Sequence, residues 1–384
     1  MGENKSMHKI KVNTKFDGGS IEVVDISNPH QLQFKIRKDT NSHFCQWFYF
    51  QLNNVADQAL QVKISDLKNT AYPEAWKDYR ICMSYDNQSW FRLDTRFDGD
   101  NLEFNLRPKF NTLYFAYFEP YSYNRHLQLL GYANQSPLAL HRILGETAEG
   151  RNLDLIMIGN LSNPKYKIWI TARQHPGETM AEWFMEGLIH RLLDMEDATS
   201  KSLLKQAVFY LVPNMNPDGA YHGNLRVNTT GTNLNREWVS PSLDRSPEVA
   251  YVRNEMVEIG VDMFFDIHGD EAISYVFTSG CYENPSFSLK QEKLSHLFEK
   301  YLAAASLDYQ TKIGYIKDHF KTETATLASY WVGNRFDCLA FTLEMPFKDN
   351  ANLPDIVHGW SGQRSYLLGQ SFLTAISLVM DDYV

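Results

Sequence analysis

The feature that most constrains the fold of this chain is a strand–turn–helix stretch over residues 167–192, KIWITARQHPGETMAEWFMEGLIHRL. It opens with an apolar run that predicts a buried strand, and apolar residues resume at helical spacing after the Pro176-Gly177 turn. His175 and Glu178 lie at this turn, and an imidazole and a carboxylate three residues apart suit one metal ion. The stretch therefore predicts part of a metal site, with a third ligand farther along the chain.

Length and charge narrow the class of protein. The chain has 384 residues, which is more than one average domain, so two domains are expected. Its net charge is −9, whereas nucleic acids and anionic membrane surfaces select a basic face. We therefore expect neither nucleic acid nor a membrane as a partner, and the sequence leaves the oligomeric state open.

Cysteine usage and hydropathy favour a cytoplasmic location. The four cysteines are scattered without a C-x-x-C pair, which favours reduced, mostly buried thiols over a disulfide framework. No window is long and apolar enough to span a bilayer, and the opening residues MGENKSMHKIKV lack the apolar core of a secretory signal. A cytoplasmic enzyme is the expected setting.

The hydrophobic pattern divides the chain in two. Short aromatic or alternating runs with turn residues between them occur at 44–52, 61–64, 81–85, 90–93, 102–106 and 112–118. They predict an antiparallel β-sandwich domain over residues 1–120. From residue 121 to 384, strand-like runs alternate with helical stripes, which predicts an α/β domain, an α/β/α sandwich with a mixed sheet. Its predicted elements include strands 207–212, 263–267 and 339–343 and helices 247–259, 286–305 and 363–380.

Two of these strands end in a polar residue. The run 263–267 leads into His268, and the run 339–343 leads into Glu344. Strand ends in an open α/β sheet commonly form a site, so His268 is the predicted third ligand. Two His and one Glu leave a coordination position for water, as in catalytic zinc sites. A lone His is more often a hydrogen-bonded structural residue, and only the combination favours a metal.

Glu344 is the predicted general base. It is a lone acid at the end of an apolar strand, where a carboxylate is costly unless it has a partner or a function. Near a metal-activated water it could accept a proton and pass it to a leaving amine. The plainer interpretation is a glutamate at the rim of the strand.

A polar stretch between 213 and 246 supplies candidates for substrate binding. Arg226, Asn235 and Arg236 lie there, downstream of the turn sequence Asn-Pro-Asp-Gly at 216–219. Arginine binds carboxylates in a bidentate manner, asparagine adds neutral hydrogen bonds, and a second arginine can stabilise an oxyanion. Exposed loop arginines are the alternative interpretation.

In combination, these motifs resemble the zinc metallocarboxypeptidases of peptidase family M14, and most closely the cytosolic carboxypeptidase branch with its bacterial members. In chain order the resemblance is carried by Leu144 to Arg151, His175-Pro176-Gly177-Glu178, Asn216-Pro217-Asp218-Gly219, Arg226, Leu234-Asn235-Arg236, Ser246-Pro247-Glu248-Val249, His268 and Glu344. It covers nearly the whole chain, and a β-sandwich before the catalytic domain is a feature of that branch. The ordered set is far more specific than HPGE alone.

The resemblance implies a metal centre and its chemistry. His175, Glu178 and His268 would bind one Zn²⁺ per chain. Glu344 would activate the water that attacks the scissile carbonyl, and Arg226 would stabilise the resulting oxyanion. The implied fold is the zinc carboxypeptidase fold.

The resemblance also implies the substrate. Asn235 and Arg236, with Arg226 beside them, would bind the C-terminal carboxylate of a peptide or protein. The implied activity is hydrolysis of the C-terminal peptide bond.

Two positions near the metal ligands bear on how the imidazoles are held. The family usually has an Asp two residues before the Asn-Arg pair, as a partner for the first His ligand, and Asn233 stands there in this chain. A neutral partner should make the imidazole of His175 less basic. Asp266 lies two residues before His268, on the same strand face, and is a candidate partner for it.

The residue preference of the enzyme is left open. Deglutamylating members are expected to carry a basic specificity residue upstream of the catalytic Glu, but residues 324–331 contain no Arg or Lys. Lys317, Lys321 and Arg335 are the available substitutes. Tyr315 and Tyr330 are both candidates for the substrate-binding tyrosine of the pancreatic enzymes.

Two other functions remain as alternatives. An N-acyl amino acid amidohydrolase of the aspartoacylase type would share the zinc set, but the length of the match and the sandwich argue against it. A non-catalytic peptide-binding module would need to have lost a ligand or the base, and none is missing.

Overall fold

The computed structural model describes residues 9–162, 164–316 and 324–382. Within this part of the chain, the N-terminal region forms strands β1 (Lys11–Asn13), β2 (Glu22–Asp25), β3 (Leu32–Lys35), β4 (Tyr49–Asn53), β5 (Leu60–Ser65), β6 (Ile81–Ser84), β7 (Trp90–Leu93), β8 (Arg96–Phe97), β9 (Leu102–Leu106) and β10 (Thr112–Ala116). They build two sheets, ordered β1-β4-β10-β6-β7 and β2-β3-β5-β9-β8.

Aromatic side chains fill the space between these two sheets. The ring centroids of Phe34 and Phe50 lie 5.0 Å apart, and those of Phe104 and Phe115 lie 5.1 Å apart, each pair joining one sheet to the other. Their burial is the apolar contact that holds a sandwich together. The pairing is antiparallel except between β3 and β5, which run parallel.

The region that follows alternates strands with helices. Its strands are β11 (Ala139–Glu146), β12 (Asn152–Gly159), β13 (Tyr166–Ala172), β14 (Ala207–Val212), β15 (Met263–Asp270), β16 (Phe277–Gly280) and β17 (Leu339–Pro346). Its helices are α1 (Tyr123–Asn134), α2 (Met180–Leu192), α3 (Ala198–Leu203), α4 (Pro217–His222), α5 (Pro247–Ile259), α6 (Leu289–Ala305), α7 (Ala328–Phe336) and α8 (Gly362–Asp381).

One mixed sheet, ordered β11-β12-β14-β13-β15-β17-β16, forms the centre of this region. The strands β14, β13, β15 and β17 are parallel, and the outer strands pair antiparallel. Adjacent residues of a strand point to opposite faces, so Phe264 packs on the side of α5 and α7 while Phe265 packs with α6 and α8. The predicted fold class, an α/β/α sandwich with a mixed sheet preceded by an antiparallel β-sandwich, is confirmed.

The strongly patterned elements lie close to their predicted positions. The strand 207–212 and the helix 247–259 have the predicted bounds, and the strand predicted over 339–343 continues to Pro346. Short elements with little periodicity, such as α3, α4, α7 and β16, were not predicted. The domain boundary between residues 120 and 121 stays a prediction; β10 ends at Ala116 and α1 begins at Tyr123.

Other expectations about the chain concern thiols and membranes. All four cysteines are free, with Cys45 half-buried and the other three buried. Among the described residues, no helix combines the length and apolarity needed to cross a bilayer.

Helices α2 and α8 approach each other through two glycines. A Cβ atom added to Gly369 would lie 2.1 Å from the carbonyl oxygen of Phe184, and one added to Gly187 would lie 2.0 Å from that of Tyr366. Both distances are far inside van der Waals contact, so a side chain at either position would push the helices apart. This contact lies on the face of the sheet that α6 and α8 cover, where α2 packs against β13 and β15.

We expect Gly369→Ala to lower the free energy of unfolding by about 2 kcal/mol or more, because the added methyl group meets backbone that cannot rotate away. Gly131→Ala in α1 is the matched control. Its Cβ would meet nothing within 4 Å, so it should raise stability by about 0.5–1 kcal/mol. Urea unfolding of both variants measures the difference; equal effects would contradict the close helix contact.

Candidate active site

Three side chains converge at the end of the parallel strands. His175 and Glu178 lie on the turn between β13 and α2, and His268 lies in β15. Nδ1 of His175 is 2.6 Å from Oε1 of Glu178, and Nδ1 of His268 is 2.7 Å from Oε2. One ligand atom from each residue lies within 4.8 Å of the others, which is the spacing of a metal-binding group. The sequence-predicted trio is therefore brought together.

The other nitrogen of each imidazole is held by a separate partner. Nε2 of His175 lies 3.1 Å from Oδ1 of Asn233, and Nε2 of His268 lies 2.7 Å from Oδ2 of Asp266. Such contacts fix the ring orientation and leave Nδ1 to face the centre. Both residues singled out in the sequence thus contact the imidazoles.

Asp266 is itself fixed. Its carboxylate accepts hydrogen bonds from Oγ1 of Thr171 at 2.8 Å and Nε2 of Gln174 at 2.5 Å. Gln174 in turn accepts one from the indole of Trp238 at 2.9 Å. A buried chain of hydrogen bonds, from Trp238 through Gln174 to Asp266, therefore orients His268.

The turn that carries His175 has its own support. Arg173 adopts a left-handed backbone conformation (φ 57°), which redirects the chain as it leaves β13. Its Nε donates to the carbonyl of Pro176 at 2.9 Å, and its NH1 pairs with Glu182 of α2 at 2.6 Å. The arginine thereby joins strand, turn and helix.

The pKa values of the three residues are shifted in different directions. All three residues are buried. Burial, reinforced by Arg226, lowers the pKa of His175 to about 4, so its imidazole is neutral, the form that binds metals. Against the cost of burial, the two imidazoles hold the pKa of Glu178 well below its usual range, so it is an anion. Burial also opposes the charged form of His268, but Asp266 and Glu178 raise its pKa well above the usual value.

Glu344 faces the trio from the neighbouring strand. It pairs in register with His268, because β15 and β17 are parallel neighbours. Its Oε1 is 3.0 Å from the hydroxyl of Tyr315, while its buried Oε2 has no hydrogen-bond partner among the described residues. Burial raises the pKa of Glu344 well above its usual range. A carboxylate with one oxygen anchored and the other free is arranged to exchange a proton.

The loop that carries Arg226 is held by the N-terminal region. Asp39 accepts backbone hydrogen bonds from Leu225, Arg226 and Val227 at 2.7, 2.8 and 3.3 Å. Its carboxylate is buried, and burial raises its pKa to about 6. The guanidinium of Arg226 lies 5.6 Å from the ring centre of Tyr72. No local motif around Asp39 indicates this role, which sequence reasoning missed.

Asn235 and Arg236 lie on a short 3-10 turn near α7. Oδ1 of Asn235 accepts the backbone N–H of Ala328 at 2.9 Å, which fixes the side chain against the first residue of α7. NH1 of Arg236 donates to the carbonyl oxygen of Asn235 at 2.8 Å. This anchoring points to a rigid pair, in contrast to arginines on an exposed loop.

One cavity of about 410 Å³ unites the predicted site residues. Its wall includes His175, Glu178, Arg226, Asn235, Arg236, His268 and Glu344. Tyr72 and Glu74 add a wall from the N-terminal region, and Asp270, Glu271 and Tyr315 complete this side. Sequence reasoning missed Asp270 and Glu271, because two acidic residues after a predicted strand are typical of an ordinary loop.

The candidate residues for substrate preference lie at different positions in the structure. Tyr315 places its hydroxyl beside Glu344, whereas the hydroxyl of Tyr330 lies 3.5 Å from Glu283. Both tyrosines line the cavity, and Arg335 is exposed at the end of α7 and does not. The predictions for Lys317 and Lys321 lie outside the described residues.

Two family models match the chain. Residues 12–118 match the cytosolic carboxypeptidase N-terminal domain, and residues 125–368 match the zinc carboxypeptidase family. Human cytosolic carboxypeptidase 1 is 28% identical over 324 residues, which are 71% of this chain and 26% of that protein.

Two solved structures are similar to this protein over nearly its whole chain. A metallo-carboxypeptidase from Burkholderia cenocepacia is 45% identical with a TM-score of 0.95, covering 98% of this chain and 100% of that one. A metallo-carboxypeptidase from Pseudomonas aeruginosa, in complex with (2-guanidinoethylmercapto)succinic acid, is 42% identical with a TM-score of 0.94, covering 97% and 100%. The chain therefore belongs to the zinc carboxypeptidase family, as a metallocarboxypeptidase that carries the cytosolic carboxypeptidase N-terminal domain.

Proposed function

We propose that the protein is a zinc-dependent carboxypeptidase that removes the C-terminal residue of peptides or proteins. The observation that carries this proposal is the meeting of a metal-binding trio, a buried carboxylate with a free oxygen and two arginines in one cavity. Each part corresponds to a requirement of C-terminal peptide hydrolysis: a Lewis acid, a base, an oxyanion donor and a carboxylate clamp.

The donor set fits one Zn²⁺ per chain. Two imidazole nitrogens and one carboxylate are the ligands that catalytic zinc sites use with an open position, and here all three are buried, with each imidazole held through its other nitrogen. His175, Glu178 and His268 would hold the ion. When bound, zinc supplies Lewis acidity, which lowers the pKa of a water molecule and polarises a carbonyl oxygen.

Glu344 is the proposed general base. Tyr315 holds its Oε1 at 3.0 Å, which leaves Oε2 to take the proton of the attacking water. The protonated carboxyl then delivers that proton to the nitrogen of the leaving residue. Its position beside His268 keeps this exchange next to the metal site.

The two arginines have different proposed roles, one at the scissile carbonyl and one at the C-terminal carboxylate. Arg226, half-buried and with its backbone N–H bound by Asp39, would stabilise negative charge on the scissile carbonyl oxygen. Arg236, with Asn235, would bind the free carboxylate of the substrate's last residue. A carboxylate clamp in the same cavity as the base would restrict cleavage to the C-terminal bond.

Partner and location are proposed on the same basis. A peptide or protein C-terminus is the proposed substrate, and the succinic acid derivative bound by the Pseudomonas aeruginosa relative supports a site that accepts carboxylates. The acidic net charge supports the absence of nucleic acid and anionic membranes as partners. The cytoplasm is the proposed location, and the name of the relative cytosolic carboxypeptidase 1 supports it.

Replacing the base should separate metal binding from catalysis. We expect Glu344→Gln to retain one zinc per chain and to lose hydrolysis by a factor of about 100 or more, because an amide cannot accept the proton. Atomic absorption measures zinc, and a peptide-release assay measures turnover. Removing zinc from the wild-type protein with a chelator should abolish activity in the same assay, and zinc should restore it. Near-normal turnover in the variant would remove Glu344 from the mechanism.

The carboxylate clamp predicts that a free C-terminus is required. Amidating the C-terminus of a cleaved peptide should prevent cleavage, and Arg236→Gln should raise KM for the free acid by about tenfold or more. Arg335→Gln is the matched control, because that arginine is exposed and lies outside the cavity. Equal rates on the acid and the amide would refute the clamp.

The contact between Asp39 and the Arg226 loop predicts that the N-terminal region supports catalysis. Asp39→Asn should lower kcat/KM by about tenfold or more without loss of zinc, because an amide cannot accept all three N–H groups that now position the loop. Asp94→Asn, an exposed change in the same region, should leave kcat/KM within about twofold of wild type. Unchanged kcat/KM in Asp39→Asn would contradict the positioning role.

A further inference from the structure

We propose that the cavity contains a second charge-recognition subsite, in which Glu271 binds an ammonium group on the acyl side of the scissile bond. The inference rests on the proposed carboxypeptidase function and names its substrate class. The preferred substrates would carry a cation next to the bond that is cut, either the free α-amine of a dipeptide or the side chain of a penultimate lysine.

Glu271 is a buried carboxyl group with one oxygen that lacks a hydrogen-bond partner among the described residues. It is 6% exposed, follows β15 directly and lines the cavity. Its Oε1 has no hydrogen-bond partner among the residues that the structure describes. Burial, Glu178 and Asp270 raise the pKa of this carboxyl well above its usual range, and the nearby charge of Arg226 only partly opposes that rise. Burying an ionised carboxylate in this way is costly unless another group supplies the compensating charge.

The neighbouring acid differs in this respect. Asp270 accepts the backbone N–H groups of Ala272 and Ile273 at 2.8 and 2.5 Å, and its Oδ2 lies 3.0 Å from the hydroxyl of Tyr315. Both carboxylate oxygens of Asp270 are thus occupied within the loop, whereas Oε1 of Glu271 is not. The contrast within one dipeptide singles out Glu271 as the group that is free to meet a ligand.

Glu271 lies on the side of the cavity that faces the N-terminal region. Burial raises the pKa values of Tyr72 and Tyr117, and the nearby carboxylate of Glu271 adds to both shifts. The clamp residue Asn235, in contrast, is anchored to α7 through Ala328. In the proposed binding mode, the C-terminal carboxylate occupies the clamp and the acyl part extends away from α7, toward Tyr72 and Glu271.

Acidic side chains outnumber arginines in the wall of the cavity. Beyond Glu178 and Glu344, which serve the metal and the proton, the wall carries Glu74, Asp270 and Glu271. Its two arginines are assigned to the oxyanion and the C-terminal carboxylate. A penultimate aspartate or glutamate would meet like charge there, whereas an ammonium group would pair with Glu271. The subsite therefore also selects against substrates with acidic acyl residues.

Four peptides with the same C-terminal residue test this inference on the zinc-loaded full chain. We compare alanyl-X with acetyl-alanyl-X, and acetyl-alanyl-lysyl-X with acetyl-alanyl-norleucyl-X, where X is one C-terminal residue that the wild type removes. We expect kcat/KM to be about tenfold or more higher for the cationic member of at least one pair, because a charge-assisted hydrogen bond contributes that much. The first pair reports the α-amine and the second the lysine side chain.

Two glutamate variants then assign the effect. Glu271→Gln, which keeps the shape of the side chain, should reduce the cationic-to-neutral ratio to near one while leaving the neutral peptides within about threefold of wild type. Glu74→Gln removes the same charge from an exposed position on the cavity wall and should preserve most of the ratio. Dissociation constants in the Glu344→Gln background should show the same preference without turnover.

The outcomes distinguish this inference from the function on which it rests. Equal rates within both pairs in the wild type, or an equal loss of the ratio in both glutamate variants, would overturn the ammonium subsite and leave the carboxypeptidase proposal standing. An equal loss on cationic and neutral peptides in Glu271→Gln would assign that residue a structural role and overturn the inference as well. Failure to cleave any of the four would contradict the proposed function, and the inference with it.

Discussion

The parallel pairing of β15 with β13 on one side and with β17 on the other is the constraint on which the rest of the site depends. Register between β15 and β17 sets His268 beside Glu344, and register between β13 and β15 brings the following turn, with His175 and Glu178, to the same end. Side chains far apart in sequence therefore meet without any flexible linkage. Such rigidity matters because a base displaced by an ångström loses much of its catalytic effect.

The N-terminal sandwich contributes directly to the site. Asp39 supplies the acceptor for three backbone N–H groups around Arg226, and Tyr72 forms part of the cavity wall beside the guanidinium. A helix dipole or a local turn could have fixed this loop from within the α/β region, but the buried carboxylate comes from the sandwich instead. The two regions therefore build one site, which gives a physical reason for both family models to occur in the same chain.

Much of the site was predictable from sequence because its signals are local. A strand that ends in a His, a Pro-Gly turn flanked by His and Glu, and an apolar strand that ends in a lone Glu each expose their chemistry within ten residues. The family resemblance implied Asn233 as the partner of His175, whereas Asp266 as the partner of His268 followed from its position two residues earlier on the same strand face. The parallel pairing of β3 with β5 and the short helix α7 did not follow, because pairing direction and brief elements leave little periodicity.

The sequence by itself determined the fold class, the order of the patterned elements and the identity of the residues that meet at the candidate metal site, because hydrophobic periodicity and turn chemistry depend on residues that are close in sequence. Only the tertiary structure decided which residues act on these from a distance. Asp39 reaches Leu225 across 186 positions of sequence, and Glu271 became distinct from Asp270 only through the hydrogen bonds that one has and the other lacks. Burial and the loss of water are properties of the assembled chain, and they turn an ordinary loop acid into a candidate for recognising charge.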